Sequence, residues 1–444
     1  MNYEPRIIAF LCTWCSYTGA DTAGIARIKS PANIRAVRVP CSGRVSPELV
    51  MRTFDQGADG VLVLGCHIGE CHYDTGNHRA AKRIPILRSL MTFAGLEPER
   101  LHLDWVSASE GERFSRIATE FTETVRALGP VAWRVTPGQW QTVAESLLPL
   151  KEEVPMPALD CAGKTDTIRA KAKELLTSGE VGCVIGYEVG PRGRTRPIFV
   201  YSAEETERLV WNPDVSNNLA SYLPVKLKPK GKEPPRKVAV VVKPCDSRAV
   251  NVLLAENQFT RDQVHVIGVT CEGVRDGGSS LQSRCQTCSE RVPVVYDTLV
   301  GEPPAKGHAG AVAGSDWLET LPPRERMEFW LSQFDRCIRC YACRQACPMC
   351  NCPVCLYERD DSTFVGMGIR LNEKRTFHLG RAYHLAGRCV GCNECERACP
   401  MEIPIGLLNQ KLAEEIETVF NFRAGLTVTP SPIVTVLSGE YKEG

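Results

Sequence analysis

The sequence contains no stretch approaching the ~18 consecutive apolar residues that a membrane-spanning helix requires. Its opening, MNYEPRIIAFLCTWC, has only a brief apolar run before polar and cysteine positions. A secretory signal is therefore not expected, and the chain is placed in the cytoplasm. Neither sign of charge is in excess: 53 Lys and Arg face 52 Asp and Glu, a net charge of +1. Nucleic-acid binders normally show a clustered basic surplus, so no nucleic-acid partner is expected. The Lys-rich stretch VKLKPKGKEPPRK reads as a solvated linker. Nothing has the pattern of a hydrolytic triad, a P-loop or a paired-carboxylate site, and no GxGxxG follows a strand pattern.

Cysteine, by contrast, is abundant, with 22 in 444 residues. Disulfide-dense folds are usually small domains lacking an adequate core, whereas this length predicts about three domains with ordinary cores, so metal ligation is the better reading. Two copies of C-x2-C-x2-C-x3-C-P carry most weight: Cys337, Cys340, Cys343, Cys347 before Pro348, and Cys389, Cys392, Cys395, Cys399 before Pro400. Three thiolates in one short loop can hold three corners of a [4Fe-4S] cube, while the fourth leaves on a helix to reach the other cube. This assigns Cys337, Cys340, Cys343 and Cys399 to one [4Fe-4S] cluster, and Cys389, Cys392, Cys395 and Cys347 to the next. Zinc knuckles, the alternative, do not explain the doubled motif.

The first 128 residues alternate apolar runs with amphipathic stretches. IIAFLC, IRAVRVPC, GVLVLGC and LHLDWVSA read as buried strands, and SPELVMRTFDQG and ERFSRIATEFTETVRAL as helices. This rhythm predicts a parallel, flavodoxin-like α/β sheet, whose sites lie beyond the carboxyl ends of the strands. Cys12, Cys41 and Cys66 end three of these strands, with Cys15 and Cys71 close behind. Three readings remain open: a [2Fe-2S] site on four of the five thiols, a thioredoxin-like Cys12/Cys15 dithiol, or packed structural thiols. Cys15 is taken as the spare of a [2Fe-2S] set, because Cys12, Cys41 and Cys66 lie at adjacent strand ends.

LCTWCSYTGADTAGIAR, IRAVRVPCSGRVSPELVMRTFDQGADGVLVLGCHIGECHYDTGNHRA and WVSASEGERF closely resemble the delta subunit of methyl-viologen-reducing hydrogenase. The resemblance covers residues 4 to 130 and includes all five cysteines. It implies a [2Fe-2S] domain that passes electrons between a hydrogenase or formate dehydrogenase and the flavin-bearing component of heterodisulfide reductase.

A Pro-punctuated connector from Gly129 to Pro157 includes one short helix, AESLLPL. Beyond it TIRAKAKELLTSGEV reads as a helix and GCVIGYEVG, RPIFVYS, PRKVAVVVKPC and VHVIGVTC as strands, a second α/β region. Cys245 and Cys271 end two of these strands, and Cys285 and Cys288 follow as C-x2-C; iron-sulfur and zinc both suit that set. KPCDSRAVNVLLAENQ, IGVTCEGV and CQTCSERVPVVYD are similar to the beta subunits of deazaflavin-reducing hydrogenases and related formate dehydrogenases over residues 165 to 300. That similarity implies a [4Fe-4S] cluster on Cys245, Cys271, Cys285 and Cys288, and often FAD. The DGGSS segment lacks the strand-turn-helix context of a phosphate cradle, and VGPRGRTR reads as a solvated loop, so FAD is kept as the alternative cofactor.

GEPPAKGHAGAVAG has the composition of a flexible linker, and ERMEFWLSQFDRC of a helix entering a C-terminal dicluster ferredoxin-like module with its own core. His378 and His384 read as helix-surface residues. Cys350, Cys352 and Cys355 admit three readings: a further metal site, replacement of Cys347, or packing. Cys161 and Cys183 read as structural. The expected organisation is a [2Fe-2S] domain at 1–130, a linker at 131–164, a [4Fe-4S] α/β domain at 165–300, a linker at 301–324, a two-cluster module at 325–426 and a tail at 427–444.

The expected function is that of a multi-cluster electron-transfer subunit in a cytoplasmic anaerobic oxidoreductase complex. Its expected partners are a heterodisulfide-reductase-like flavoprotein and a hydrogenase, formate dehydrogenase or other dehydrogenase. The rivals are a flavin enzyme acting on a nicotinamide or deazaflavin coenzyme through the middle domain, and a thiol-exchange protein built on CTWC.

Overall fold

Four apolar strands, β1 (Ile7–Cys12), β2 (Ile34–Val39), β3 (Gly60–Gly65) and β4 (Leu101–Trp105), pair in parallel in the order β2-β1-β3-β4. The computed structural model describes residues 3–133, 153–229, 235–275, 277–304, 316–361 and 365–434. β3 is buried along its whole length and β1 nearly so, as their continuous apolar runs require, whereas the edge strand β2 exposes Arg35 to Arg38. Helices α1 (Ser16–Ile25), α2 (Pro47–Asp55), α3 (Gly76–Phe93) and α4 (Gly111–Leu128) cover the sheet. α2 starts where Ser46 Oγ accepts the Leu49 N–H at 3.2 Å, with Pro47 in the first turn. The four strands and the two expected helices fall where the sequence pattern put them, and the fold class is α/β.

The second sheet has the order β6-β5-β7-β8-β9. β5 (Cys183–Val189) and β6 (Thr195–Val200) form an antiparallel hairpin, and β7 (Val238–Val242), β8 (Val264–Val269) and β9 (Thr298–Val300) continue in parallel. The VGPRGRTR segment is the exposed hairpin turn, closed by a Gly190 N–H to Arg194 carbonyl bond of 2.8 Å. β9, only three residues long, was not expected. Helix α5 (Cys161–Thr177) begins six residues earlier than the pattern suggested, because Asp160 caps it through a 2.9 Å bond from Gly163 N–H. Helix α6 (Pro244–Ala255) follows β7 directly.

From Pro323 onward the described residues contain no strand. Helices α7 (Pro323–Asp335), α8 (Leu371–His384) and α9 (Ile405–Phe420) frame the two cysteine motifs. Both motif loops wind the same way: Arg339 and Tyr341 in the first, and Gly391 and Asn393 in the second, take left-handed conformations with φ of 55°, 59°, 69° and 56°. Such φ values are costly outside glycine and asparagine. Arg339 is held there by bonds to the Glu373 carbonyl at 3.0 Å and the Tyr341 hydroxyl at 2.9 Å.

The largest core around these helices is not private to them, contrary to expectation. Trp330, Phe334, Leu379, Leu408 and Leu412 pack in one cluster with Phe54, Leu87 and Leu90 of α2 and α3. On the other side Met349, Leu385, Val390 and Ala424 join the core of the second sheet. α8 is enclosed from Lys374 to Tyr383, so His378 is not a surface residue; it is 1% exposed, while His384 is half-exposed and bonded to Glu48 at 2.9 Å. The expected AESLLPL helix, the middle of the Ala/Gly/Pro linker and the end of the tail lie outside the described residues.

Candidate metal centres

The parallel register of β1, β2 and β3 brings their carboxyl ends side by side, and five thiols meet there. Cys12 closes β1, Cys15 precedes α1, Cys41 follows β2, and Cys66 and Cys71 follow β3; all five are buried. Cys12, Cys15 and Cys66 present sulfur atoms within 4.8 Å of one another. Cys12 Sγ lies 3.8 Å from Cys66 Sγ, and Cys41 Sγ 3.8 Å from Cys71 Sγ. Cys41 also acts on Cys12, linking the trio to the pair. This geometry groups Cys15 with Cys12 and Cys66 and gives no support to Cys15 as the spare thiol. Cys71 is outermost.

The surroundings are shaped to the sulfurs. Ser16 Oγ donates to the Leu64 carbonyl at 2.7 Å and accepts from Cys12 N–H at 2.8 Å, fixing the β1–α1 turn. Gly76 opens α3 where a Cβ would stand 2.1 Å from Cys41 Sγ, and Gly43 lies so close to Gly76 that its own Cβ would meet that carbonyl at 2.6 Å. Hydrogen bonding among the thiols lowers Cys12, chiefly through Cys15, and Cys66, chiefly through Cys12; it raises Cys15, chiefly through Cys12. Two thiolate-prone sulfurs beside a protonated one suit a cation that displaces protons.

Cys245, Cys271, Cys285 and Cys288 line one cavity of about 180 Å³. The same cavity is lined by Lys243, Arg248, Arg284, Arg291 and Arg423, which offset the negative charge of four thiolates. Burial pushes the Cys271 thiol up to about 12 and Cys245 well above its ordinary range. Sulfurs that burial holds protonated ionise when a bound metal adds its charge to that of the surrounding cations. Lys243 is itself saturated, donating to Tyr187 Oη at 2.6 Å, the Asn217 carbonyl at 2.6 Å and Asp246 Oδ2 at 2.8 Å. Sequence reading missed this lysine, although it stands two residues before Cys245.

Cys337, Cys340, Cys343 and Cys399 line a further cavity, so the first motif meets the last cysteine of the second. Arg339 N–H already points at Cys337 Sγ at 3.3 Å. Cys347 lies within electrostatic reach of Cys389, Cys392 and Cys395, and Asn409 Nδ2 reaches Cys395 Sγ at 3.5 Å. Cys350 lies against Cys347, and their contact pushes the Cys347 thiol well up and lowers that of Cys350. Cys352 is exposed, Cys355 and Cys161 are partly buried, and Cys183 is buried at the start of β5. Trp14 and His72 stack at 3.8 Å on the outer side of the N-terminal site, with Tyr73 bonded to Trp14 Nε1 at 3.3 Å.

Fold and sites together define a thiol-rich α/β protein with cysteine sets converging at strand ends and in two repeated loops. Residues 7–129 match the family described as methyl-viologen-reducing hydrogenase, delta subunit, and the chain belongs to that family through this N-terminal region. It is 50% identical over 129 residues to the D-type iron-sulfur subunit of the F420-non-reducing hydrogenase of Archaeoglobus profundus, covering 94% of that protein and 29% of this chain. Over 138 residues it is 44% identical to the D-type iron-sulfur subunit of the vhc F420-non-reducing hydrogenase of Methanococcus voltae, covering 96% of it and 31% of this chain. The A-type subunit of the ferredoxin:CoB-CoM heterodisulfide reductase of Methanosarcina mazei shares 50% identity over 127 residues, only 16% of its length and 29% of this chain. No helix among the described residues is long and apolar enough to cross a membrane.

Proposed function

We propose that this chain is a multi-cluster iron-sulfur electron-transfer subunit of a cytoplasmic anaerobic oxidoreductase complex. It relays electrons between a hydrogenase, formate dehydrogenase or other dehydrogenase and a heterodisulfide-reductase-like flavoprotein. Four of Cys12, Cys15, Cys41, Cys66 and Cys71 hold a [2Fe-2S] cluster. Cys245, Cys271, Cys285 and Cys288 hold a [4Fe-4S] cluster, and the two crossed motif sets hold one each, within the organisation 1–130, 165–300 and 325–426. One-electron acceptance and release is the chemistry such clusters supply when bound. The chain's own residues orient the sulfurs, exclude water and set the surrounding charge.

One observation carries this reading: the cavity of the middle cysteine set is also walled by Val390 and Gly391, the two residues between Cys389 and Cys392. Two ligand sets therefore share a wall, and α8 joins the second to the first motif. α2 and α3, which frame the N-terminal site, pack on α8 in turn. The names of the relatives, hydrogenase iron-sulfur subunits and a heterodisulfide reductase component, support the same partners. The middle cavity, at about 180 Å³, is smaller than the ~300–1,000 Å³ usual for organic ligands. That favours a cluster there over the FAD alternative.

The test uses the full chain purified anaerobically. It is expected to be brown, reducible by dithionite, inert alone toward nicotinamide or deazaflavin coenzymes, and necessary for electron flow between the two partner enzymes. Coenzyme oxidation by the partner-free chain, with a bound flavin bleaching on the way, would overturn the relay in favour of the flavoenzyme.

A further inference from the structure

Helix α8 carries two buried side chains whose hydrogen-bonding capacity is not met by the protein. Arg381 is 3% exposed; its Nη2 donates to the Cys343 carbonyl at 3.0 Å, while Nε and Nη1 have no partner among the described residues. His378, one turn earlier and 1% exposed, has no partner for either ring nitrogen among them. Leaving a buried donor without an acceptor is costly, and more so for a charged group. A guanidinium with idle N–H groups inside a core therefore points to an absent acceptor.

The surroundings identify that acceptor. The charge of Arg381 acts first on Cys350, whose thiol it also hydrogen-bonds, and then on Cys395, Cys347 and Cys343, so the guanidinium lies within electrostatic reach of sulfurs of both motifs. His378 lines the cavity of Cys337, Cys340, Cys343 and Cys399. Its ring is fixed by parallel stacking on Phe334 at 5.0 Å and by an edge contact with Phe377 at 5.0 Å. An imidazole carries at least one N–H whatever its protonation state, so the ring always has a donor to offer.

We propose that Arg381 is a positioning residue shared by the two C-terminal clusters, donating hydrogen bonds to sulfur on both sides, and that His378 does the same for the Cys337, Cys340, Cys343, Cys399 cluster alone. The inference rests on reading these sets as [4Fe-4S] ligands. Reduction adds one negative charge to a cluster, and donors or cations beside its sulfurs stabilise that charge and raise the potential. Arg381 thus raises both C-terminal potentials together, whereas His378 separates them. The pair sits three residues apart on one face of one helix, the spacing that places two side chains side by side.

The test is an EPR-monitored redox titration of the full chain as wild type, Arg381→Gln, Arg381→Lys and His378→Phe, with iron determined on each. Arg381→Gln is expected to lower the reduced-to-oxidised ratio of both C-terminal clusters at least about tenfold at a fixed potential, about 59 mV for a one-electron couple. Arg381→Lys, which keeps the charge, recovers part of that loss. His378→Phe, which keeps the ring contacts, lowers only the step that Cys340→Ser removes. Full iron with unmoved potentials in Arg381→Gln and His378→Phe overturns the inference. If Arg381→Gln alone loses iron, Arg381→Lys and His378→Phe decide: a selective downshift in the latter supports it, and no shift in either overturns it. Absence of [4Fe-4S] signals from the wild type would instead sink the cluster reading itself.

Discussion

Arg375 of α8 and Asp55 of α2 form an ion pair with almost no solvent contact, the side chains being 6% and 3% exposed. The same guanidinium lies 4.1 Å from the ring centroid of Trp133 and donates to the Trp133 carbonyl at 2.6 Å. The N-terminal sheet and the motif-bearing helices are therefore joined by a buried charge pair as well as by a shared apolar core. Removing one partner strands the other charge, which typically costs ~3–5 kcal/mol. Asp55→Ala is expected to lower the midpoint of anaerobic denaturant unfolding strongly, and Asp55→Asn less. An unchanged midpoint in Asp55→Ala would show the contact to be dispensable.

The N-terminal sulfurs make a second prediction. Cys12, Cys15 and Cys66 are mutually close, Cys41 adjoins Cys12, and Cys71 pairs closely only with Cys41. Cys71→Ser should leave the [2Fe-2S] EPR signal in place, and serine at any of the other four should abolish or alter it. A lost signal in Cys71→Ser beside an intact one in Cys15→Ser would restore Cys15 as the spare.

Gly76 tests the same site without touching a ligand. A methyl group there would lie 2.1 Å from Cys41 Sγ, whereas at Gly24, inside α1, it would meet nothing within 4 Å. Gly76→Ala should remove or perturb only the [2Fe-2S] signal, and Gly24→Ala should leave all spectra as they are. Equal spectra in both variants would place the cluster away from Cys41.

Composition gives the fourth prediction. One two-iron and three four-iron clusters require about 14 iron atoms per chain. Anaerobic iron, sulfide and zinc analysis checks this, and one zinc with about ten iron atoms would convert the Cys245, Cys271, Cys285, Cys288 set into a tetrahedral zinc site.

Much of this was legible in the linear pattern. The apolar runs at Ile7–Cys12 and Gly60–Gly65 are buried strands because their period leaves no polar face to solvate, and cysteines at such strand ends meet whenever the strands are parallel neighbours. The doubled motif likewise repeats in backbone conformation, since identical cysteine spacing imposes the same loop. Short or capped elements were less legible: β9 has only three residues, and the start of α5 depends on a single Asp160 side chain.

What the sequence determined by itself is the kind of chemistry: which sulfurs are present, their spacing within each loop, and the α/β class. Only the tertiary structure decided how they are enclosed. Whether His378 faces water or a cavity depends on α8 being covered by α7, α9 and α2, contacts between residues tens to hundreds of positions apart that no local period encodes. The same holds for Cys15 against Cys71, for Val390 and Gly391 in the wall of a distant cysteine set, and for Gly76 beneath Cys41. Each follows from close packing, in which a few tenths of an ångström between non-local neighbours settle what fits.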